Sequence, residues 1–217
     1  YARIFMRADP ESDGQISTPV ACVTDLDVMP DCAPVIVGKI KAGEDIPTRP
    51  PSKRQWRVKS EFTATELKER RQTRINKASG QNVRTFVAGE WTLEYDLAHS
   101  GLTQEVWQAA VLALADENIQ VGKVTKEDAI GAREAEFLAL AALELEAKAS
   151  HVYALFETEG ASKAIGAQYL SELLEHAVES GGMGVDELRS KLPSYVLDAI
   201  AYVTAPIPVT AAPEEQG

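Results

Sequence analysis

Two aspartates stand one residue apart at the end of a short apolar run. Asp25 and Asp27 follow Val20–Thr24, whose β-branched residues are typical of a buried strand in a parallel sheet. Open α/β folds bind their ligands at the carboxyl ends of such strands, and carboxylate oxygens suit hard cations such as Mg²⁺. The pair therefore predicts a site for one divalent ion or two adjacent ions. The alternative is a turn in which the side chains cap backbone N–H groups, which is common for an isolated DxD.

A threonine and a glutamate occupy the equivalent place after the next predicted strand. Residues 83–87 alternate and are β-branched, and Thr92 and Glu94 open a helix that is expected to end before Gly101. The helix macrodipole stabilises an ionised Glu at this end, which favours metal ligation. The structural alternative is a capping box led by Thr92, or a solvated Glu in the first helical turn.

A lysine at the start of a later helix is the third candidate. Lys163 lies in the first turn of a helix predicted from about residue 161, where the macrodipole does not favour a cation. Beside a bound phosphodiester, its ammonium would offset the negative charge that develops in the transition state. A plain surface lysine is the commoner explanation for such a residue taken alone.

The basic charge of the chain is concentrated in one segment. The whole chain has a formal net charge of −11, yet residues 39–77 carry twelve Lys and Arg against five Asp and Glu. Such asymmetry indicates an electrostatic binding surface, and the alternative is a solvated helix face with a flexible arm. Trp56, among basic neighbours, could stack on an exposed base. The basic residues selected as contacts for a polyanion are Lys53, Arg54, Arg57, Arg70, Arg71 and Arg74.

The elements that must position these residues follow from apolar periodicity. With 45% hydrophobic and 25% charged residues, the composition is that of an ordinary globular protein. Prolines make residues 41–59 irregular, and the tail 206–217 is expected to be disordered. The predicted helices are the end of one over residues 1–7 and those over residues 63–77, 104–117, 126–148, about 161–178 and 192–200.

Several classes of protein and site receive no support from the composition. The longest apolar stretch, residues 137–143, is far shorter than the roughly 20 residues of a membrane span. No secretory signal is visible, so the chain is interpreted as cytoplasmic. Cys22 and Cys32 lack the spacing of a metal finger or a disulfide framework and are interpreted as structural thiols. The three histidines lack paired spacing, so no zinc site is proposed.

The combination of these motifs resembles the catalytic region of the OLD (overcoming lysogenization defect) family of nucleases. The similar segments are residues 23–27 (Val-Thr-Asp-Leu-Asp), 91–97 (Trp-Thr-Leu-Glu-Tyr-Asp-Leu) and 192–203. The resemblance covers most of residues 1–203 and is weak between 41 and 79. It implies an α/β fold with a Toprim-like parallel-sheet core, flanking helices and a helical subdomain. The implied divisions are 1–101 (with a basic insertion and helix at 41–78), 102–150, 151–205 and a tail at 206–217.

The resemblance also implies an activity. It implies a metal-dependent DNA endonuclease in which Asp25, Asp27 and Glu94 hold two Mg²⁺ or Mn²⁺ ions. Thr92 would orient Glu94 or touch the metal's ligand sphere, and Lys163 would contact the scissile phosphate. The basic residues above would contact the DNA backbone. The family's leading strand with its glutamate motif does not precede Tyr1, and no GxxxxGK[ST] loop occurs. The hypothesis is therefore that the chain is a piece of a longer ATPase-nuclease whose ATP-binding domain lies upstream. A homodimer is the expected assembly.

Other functions remain open for a DxD after a strand. A haloacid-dehalogenase-type phosphatase would want Thr or Gly just past the second Asp, where this chain has Val28-Met29. A glycosyltransferase would normally need a longer chain. Another Toprim phosphotransfer enzyme, of the primase or topoisomerase type, is a further candidate. From a different class, the chain could be a non-catalytic acidic helical scaffold that partners an ATPase.

Overall fold

Two short strands form a parallel pair. The computed structural model describes residues 5–6, 18–47 and 54–206. In these ranges β1 (Val20–Thr24) pairs with β2 (Val83–Val87) in a register that runs from Val20 opposite Val83 to Thr24 opposite Val87. Both predicted strands are confirmed, and their carboxyl ends meet at one edge. The predicted helix end at residues 1–7 lies largely outside the described residues, as do Lys53 and nearly all of the tail.

Helices make up most of the described chain, so the fold is mixed α/β and mostly helical. Short 3-10 turns cover Lys59–Glu61 and Leu140–Ala142, and a wider turn, Ala98–Leu102, joins two helices. The helices are α1 (Ala33–Ile36), α2 (Ala64–Ala78), α3 (Leu93–Leu97), α4 (Thr103–Gln120), α5 (Lys126–Gly131), α6 (Glu134–Ala139), α7 (Leu145–Glu157), α8 (Lys163–Glu179), α9 (Val185–Lys191) and α10 (Ser194–Thr204).

The single helix predicted over residues 126–148 is wrong. The structure divides this stretch into α5, α6, a 3-10 turn and the start of α7. Arg133 has a non-helical backbone and Leu143 is extended, so the chain turns at both places. The Ala-, Leu- and Glu-rich composition favours helix throughout, but tertiary packing overrides that weak preference. The helices predicted over residues 63–77, 104–117, 161–178 and 192–200 are confirmed with shifted ends.

The apolar core spans the predicted divisions of the chain. One buried cluster joins Met29 and Ala33 after β1, Trp91 and Tyr95 around the start of α3, and the inner faces of α4 and α7. A smaller cluster under the sheet contains Leu26, Val87 and Tyr195. Helix α2 packs along β2, and α10 packs against both strands. The loops that follow β1 and β2 therefore rest on the same core. Among the described residues, no helix is both long and apolar enough to cross a membrane.

Candidate functional site

The loops that follow the two strands are joined to each other. The backbone N–H groups of Leu26 and Asp27 donate to the carbonyl oxygen of Trp91 at 3.0 and 3.1 Å. Asp25 adds a side-chain link, since its Oδ1 accepts a hydrogen bond from the backbone N–H of Leu93 at 3.1 Å. Leu93 is the first residue of α3, where backbone N–H groups have no partner within the helix. Asp25 is thereby fixed at the carboxyl edge of the sheet, against the start of the helix that carries Glu94.

The charges around Asp25 include three of the other predicted site residues. Burial raises the pKa of Asp25, and the negative charges of Glu94 and Asp27 raise this pKa further. The hydrogen bond from Leu93 and the positive charge of Lys163 act in the opposite direction. Asp25, Glu94 and Lys163 are separated by long stretches of sequence, and the fold brings them into one electrostatic environment.

Glu94 and Lys163 form an ion pair. Lys163 Nζ lies 3.0 Å from Glu94 Oε2, and Nζ also stands 5.1 Å from the centre of the Tyr153 ring. Burial by itself lowers the pKa of Lys163, but the contact with Glu94 outweighs burial and raises this pKa. The cation is therefore tolerated at the start of α8 because an acidic partner faces it. The two residues that were predicted to bind metal and phosphate are partners of each other here.

Thr92 is a helix cap. It is 3% exposed, and its Oγ1 accepts a hydrogen bond from the backbone N–H of Tyr95 at 3.3 Å, which begins α3. The third residue of the helix is Tyr95 rather than Glu or Gln, so this is a single cap and not a capping box. By capping α3, Thr92 fixes the start of the helix and so the position of Glu94 in its first turn. A role of Thr92 toward a ligand stays a prediction.

Asp27 occupies a different electrostatic setting from Asp25. Its backbone adopts a left-handed conformation with φ of 55°, which is uncommon for a residue other than Gly but tolerated by Asp. Its carboxylate forms an ion pair with Arg74, and Arg70 lies 3.9 Å from the same oxygen. Asp27 is thus directed toward the arginines of α2, whereas Asp25 faces α3.

The arginines of α2 hold the ends of both strands. Arg70 donates to the carbonyl oxygens of Leu26 and Asp27 at 2.8 and 3.3 Å. Arg71 donates to three consecutive carbonyl oxygens after β2, those of Val87, Ala88 and Gly89, at 3.2, 3.0 and 2.9 Å. Two of the residues predicted to contact DNA therefore fasten the loops that carry the acidic residues.

The other basic residues predicted to contact DNA also have protein partners. Arg54 is 8% exposed, forms an ion pair with Glu61 and stacks on Trp56 with its guanidinium carbon 4.3 Å from the ring centre. Arg57 lies 3.7 Å above the Phe62 ring and 3.6 Å from Glu66. Arg54 has little exposed surface to offer a polyanion. Lys53 lies outside the described residues.

A structural aspartate that the sequence analysis did not single out completes the frame. Asp96 is 3% exposed, and its carboxylate accepts hydrogen bonds from the backbone N–H groups of Gly89 (2.6 Å), Glu90 (3.2 Å) and Trp91 (3.1 Å). Burial raises the pKa of Asp96, while these three N–H groups oppose the rise. An acid in the first turn of α3, four residues past the cap, is the sequence signal that could have identified it.

Asp25, Asp27 and Thr92 line a cleft of about 380 Å³ at the carboxyl edge of the sheet, whereas Glu94 and Lys163 line a separate cavity of about 50 Å³. An ion pair of 2.9 Å between Lys39 and Glu157 stands at the rim of the cleft. The volume of the cleft falls within the range of about 300–1,000 Å³ that is typical of pockets for small ligands. The residues that line the cleft include Asp25, Asp27, Arg70, Trp91, Thr92 and Tyr153.

The donor types at this edge suit a divalent metal, but the carboxylates are engaged with protein partners. Carboxylate oxygens from Asp25, Asp27 and Glu94 are the hard ligands that Mg²⁺ and Mn²⁺ take. In the described part of the chain, no three His, Cys, Asp or Glu residues are grouped closely enough to hold one ion as they stand. Asp27 faces Arg74 and Glu94 faces Lys163, so these two carboxylates already have cationic partners.

Comparison of the chain with models of protein families, with curated proteins and with solved structures finds no match.

Proposed function

We propose that this chain is a divalent-metal-dependent phosphodiester hydrolase that cleaves DNA, with a Toprim-like site of the kind found in OLD-family nucleases. The observation that carries the proposal is the convergence of Asp25, Glu94 and Lys163. Asp25 follows β1, Glu94 lies in α3 after β2, and Lys163 opens α8. Acidic groups at the carboxyl edge of a parallel pair can hold divalent ions, and a nearby cation can stabilise the charge that develops on a phosphodiester.

Each residue has a distinct role in this proposal. Two Mg²⁺ or Mn²⁺ ions would supply an activated water and stabilise the leaving oxygen. Asp25, Asp27 and Glu94 bind these ions. Thr92 fixes the start of α3 and so orients Glu94. Lys163 directs its ammonium at the scissile phosphate and offsets the charge that builds up there.

The surroundings of the site extend the proposal to partners. DNA lies along α2, which carries five of the twelve Lys and Arg residues of the basic segment 39–77. The chain works beside an ATPase domain of the same polypeptide, which alone binds ATP, and it forms a homodimer in the cytoplasm. The ATPase domain follows from the family resemblance, whereas the DNA contact rests on the charge of residues 39–77.

A cleavage assay with matched variants tests the proposal. The purified chain is incubated with supercoiled plasmid in Mg²⁺ or Mn²⁺. Asp25→Asn and Glu94→Gln are expected to lower cleavage by at least about 100-fold, the scale of losing a group that stabilises the transition state. Asp116→Asn and Glu172→Gln make the same chemical changes at acids paired with Tyr169 and Lys126, and full cleavage is expected. No cleavage by the unchanged chain, or equal cleavage by all variants, contradicts the proposal.

A non-catalytic scaffold is the second candidate, and the ion pairs favour it. If Asp27 with Arg74 and Glu94 with Lys163 serve only to fasten loops to helices, the acidic residues need no metal. In that case Asp25→Asn would change the free energy of unfolding and nothing else. Measurement of Mn²⁺ binding by titration calorimetry separates the two candidates, because a scaffold gives no heat that depends on Asp25.

A further inference from the structure

Two of the three carboxylates proposed to bind metal each face a cation from a neighbouring helix. Asp27 pairs with Arg74 of α2, and Glu94 pairs with Lys163 of α8. The two pairs come from different elements and have the same design. The cation occupies one oxygen of each carboxylate, Oδ2 of Asp27 and Oε2 of Glu94, and there it competes with a metal ion for the same negative charge.

The ion pair of Asp27 and Arg74 is accessible enough for each partner to exchange the other for a new ligand. The side chain of Asp27 is 54% exposed and that of Arg74 is 27% exposed, so water screens their attraction. Exposed ion pairs of this kind contribute little to stability. Their separation therefore costs the fold little, and either partner can take another ligand.

Arg74 differs from the two arginines before it on α2. Arg70 and Arg71 each donate to two or three backbone carbonyl oxygens, and these contacts fix the loops. Among the described residues, the hydrogen-bond partner of the Arg74 guanidinium is the carboxylate of Asp27. Arg74 also lines a groove of about 470 Å³ along α2, together with Arg57, Thr73 and Lys77. Its guanidinium can leave Asp27 without loosening either strand end.

We infer that Arg74 is a phosphate-binding residue whose guanidinium is paired with Asp27 while no metal is bound. Lys163 is paired with Glu94 in the same way. When the two carboxylates turn to divalent ions, Arg74 and Lys163 are released toward the phosphate groups of a bound DNA backbone. Divalent ions and DNA then bind with positive coupling, because each binding event favours the arrangement that the other requires. The inference rests on the proposed function and adds the coupling between metal binding and the release of Arg74 toward DNA.

The test measures binding and not cleavage. Ca²⁺ is the probe ion, and its affinity for the full chain is measured by titration calorimetry without DNA. A fluorescently labelled DNA duplex then gives the DNA affinity by anisotropy, with and without saturating Ca²⁺. The variants are Arg74→Gln, Arg74→Lys as the conservative change, and Arg84→Gln as the matched control. Arg84 is an exposed arginine of β2 that stacks on Tyr202, with 4.5 Å from its guanidinium carbon to the ring centre.

The expected results differ in sign for the two ligands. Arg74→Gln should bind Ca²⁺ roughly two- to fivefold more tightly, because Asp27 no longer has a competing cation. The same variant should bind DNA more weakly in Ca²⁺, and the Ca²⁺-dependent gain in DNA affinity, expected at about fivefold or more in the unchanged chain, should shrink. Arg74→Lys should lie between the two, and Arg84→Gln should match the unchanged chain in Ca²⁺ affinity.

The outcomes distinguish this inference from the proposed function. If the unchanged chain cleaves DNA but Arg74→Gln binds Ca²⁺ and DNA as the unchanged chain does, the exchange is overturned and the proposed function stands. If Ca²⁺ and DNA show the expected coupling but no cleavage occurs, the exchange is supported and the hydrolase assignment fails. If folded protein, judged by circular dichroism, binds no Ca²⁺ in any form, both are overturned.

Discussion

Lys163 and Lys126 have nearly the same surroundings but different proposed roles. Lys163 contacts Glu94 at 3.0 Å and stands 5.1 Å from the Tyr153 ring, and Lys126 contacts Glu172 at 2.5 Å and stands 5.0 Å from the Tyr169 ring. Their exposures are 45% and 43%. A lysine with an acidic and an aromatic neighbour is therefore not a catalytic signature by itself. The difference is that Lys163 adjoins the carboxyl edge of the sheet.

This likeness gives a direct prediction at the scale of one residue. Lys163→Gln should lower the rate of DNA cleavage by roughly 100- to 1,000-fold, the range found when a charge-stabilising group is removed from an active site. Lys126→Gln, which removes the same kind of ion pair, should leave the rate unchanged. The rates are measured under single-turnover conditions in Mn²⁺. Equal losses in both variants would show that the effect of Lys163 is structural.

Asp96 gives a second prediction, on stability. Asp96→Ala removes a buried carboxylate and leaves the N–H groups of Gly89, Glu90 and Trp91 without their acceptor. Hydrogen bonds to a charged group contribute about 1.5–3 kcal/mol each, and they are not additive, so the free energy of unfolding should fall by about 2–4 kcal/mol. Urea denaturation measures it. Asp116→Ala removes a partly exposed hydrogen bond from Tyr169 and an exposed one from Gln120, and it should cost no more than about 1.5 kcal/mol. A loss equal to that of Asp96→Ala contradicts the assigned role.

At the scale of the element, the sequence predicts that α2 is a helix but not which groups its arginines contact. The helix over residues 63–77 was predicted from its composition and forms as Ala64–Ala78, with Thr63 as the cap. The sequence predicts that its arginines contact DNA, which stays a prediction. Arg70 and Arg71 bind backbone carbonyl oxygens that follow β1 and β2. Every residue has a backbone carbonyl group, so the sequence does not indicate which carbonyl oxygens accept hydrogen bonds from Arg70 and Arg71.

The arginines of α2 should therefore separate by function. Arg71→Met removes hydrogen bonds to three carbonyl oxygens, and we expect the free energy of unfolding to fall by about 1–3 kcal/mol. Arg74→Met breaks an exposed ion pair, for which a loss of about 1 kcal/mol or less is expected. Thermal and urea unfolding of the two variants side by side provide the comparison. A larger loss for Arg74→Met would contradict the division of roles.

A glycine in α8 allows the Phe156 ring of α7 to pack closely against this helix. A Cβ added at Gly166 would meet Cε1 of Phe156 at 2.8 Å, which is closer than carbon atoms approach. Gly166→Ala should therefore destabilise the fold by about 1–3 kcal/mol through overpacking, although Ala is the better helix former. Gly131→Ala in α5, where a Cβ meets nothing within 4 Å, should be neutral or stabilising. Urea denaturation decides, and a stabilising Gly166→Ala would show that Phe156 moves aside freely.

At the scale of the whole molecule, part of the site could be predicted from the sequence because it depends on the parallel pairing of two strands. Asp25 and Glu94 were predicted to meet because each follows a strand, and parallel strands end at one edge. Lys163 was placed with them by resemblance, and the structure pairs it with Glu94. The partner of Asp27 was not predicted, since it depends on how α2 crosses the ends of β1 and β2. The breaks around Arg133 and Leu143 were missed because local composition favours helix through both.

The chain is acidic overall, and its basic residues are concentrated in one segment. The chain carries −11 overall, while its cations are concentrated in residues 39–77. The segment 39–77 attracts a polyanion more strongly than the acidic remainder of the chain does, and its helix α2 packs on β2. In the proposed function, this asymmetry would guide a DNA backbone toward the site.

The most direct test of the central claim is a crystal of this chain soaked in Mn²⁺, with anomalous diffraction recorded at the manganese edge. The account predicts anomalous peaks at the carboxyl edge of the sheet, within about 2.0–2.3 Å of carboxylate oxygens of Asp25 and of Glu94 or Asp27. Arg74 and Lys163 should be turned away from their acidic partners in the same crystal. Manganese bound only elsewhere, with both ion pairs intact at saturating Mn²⁺, would contradict it.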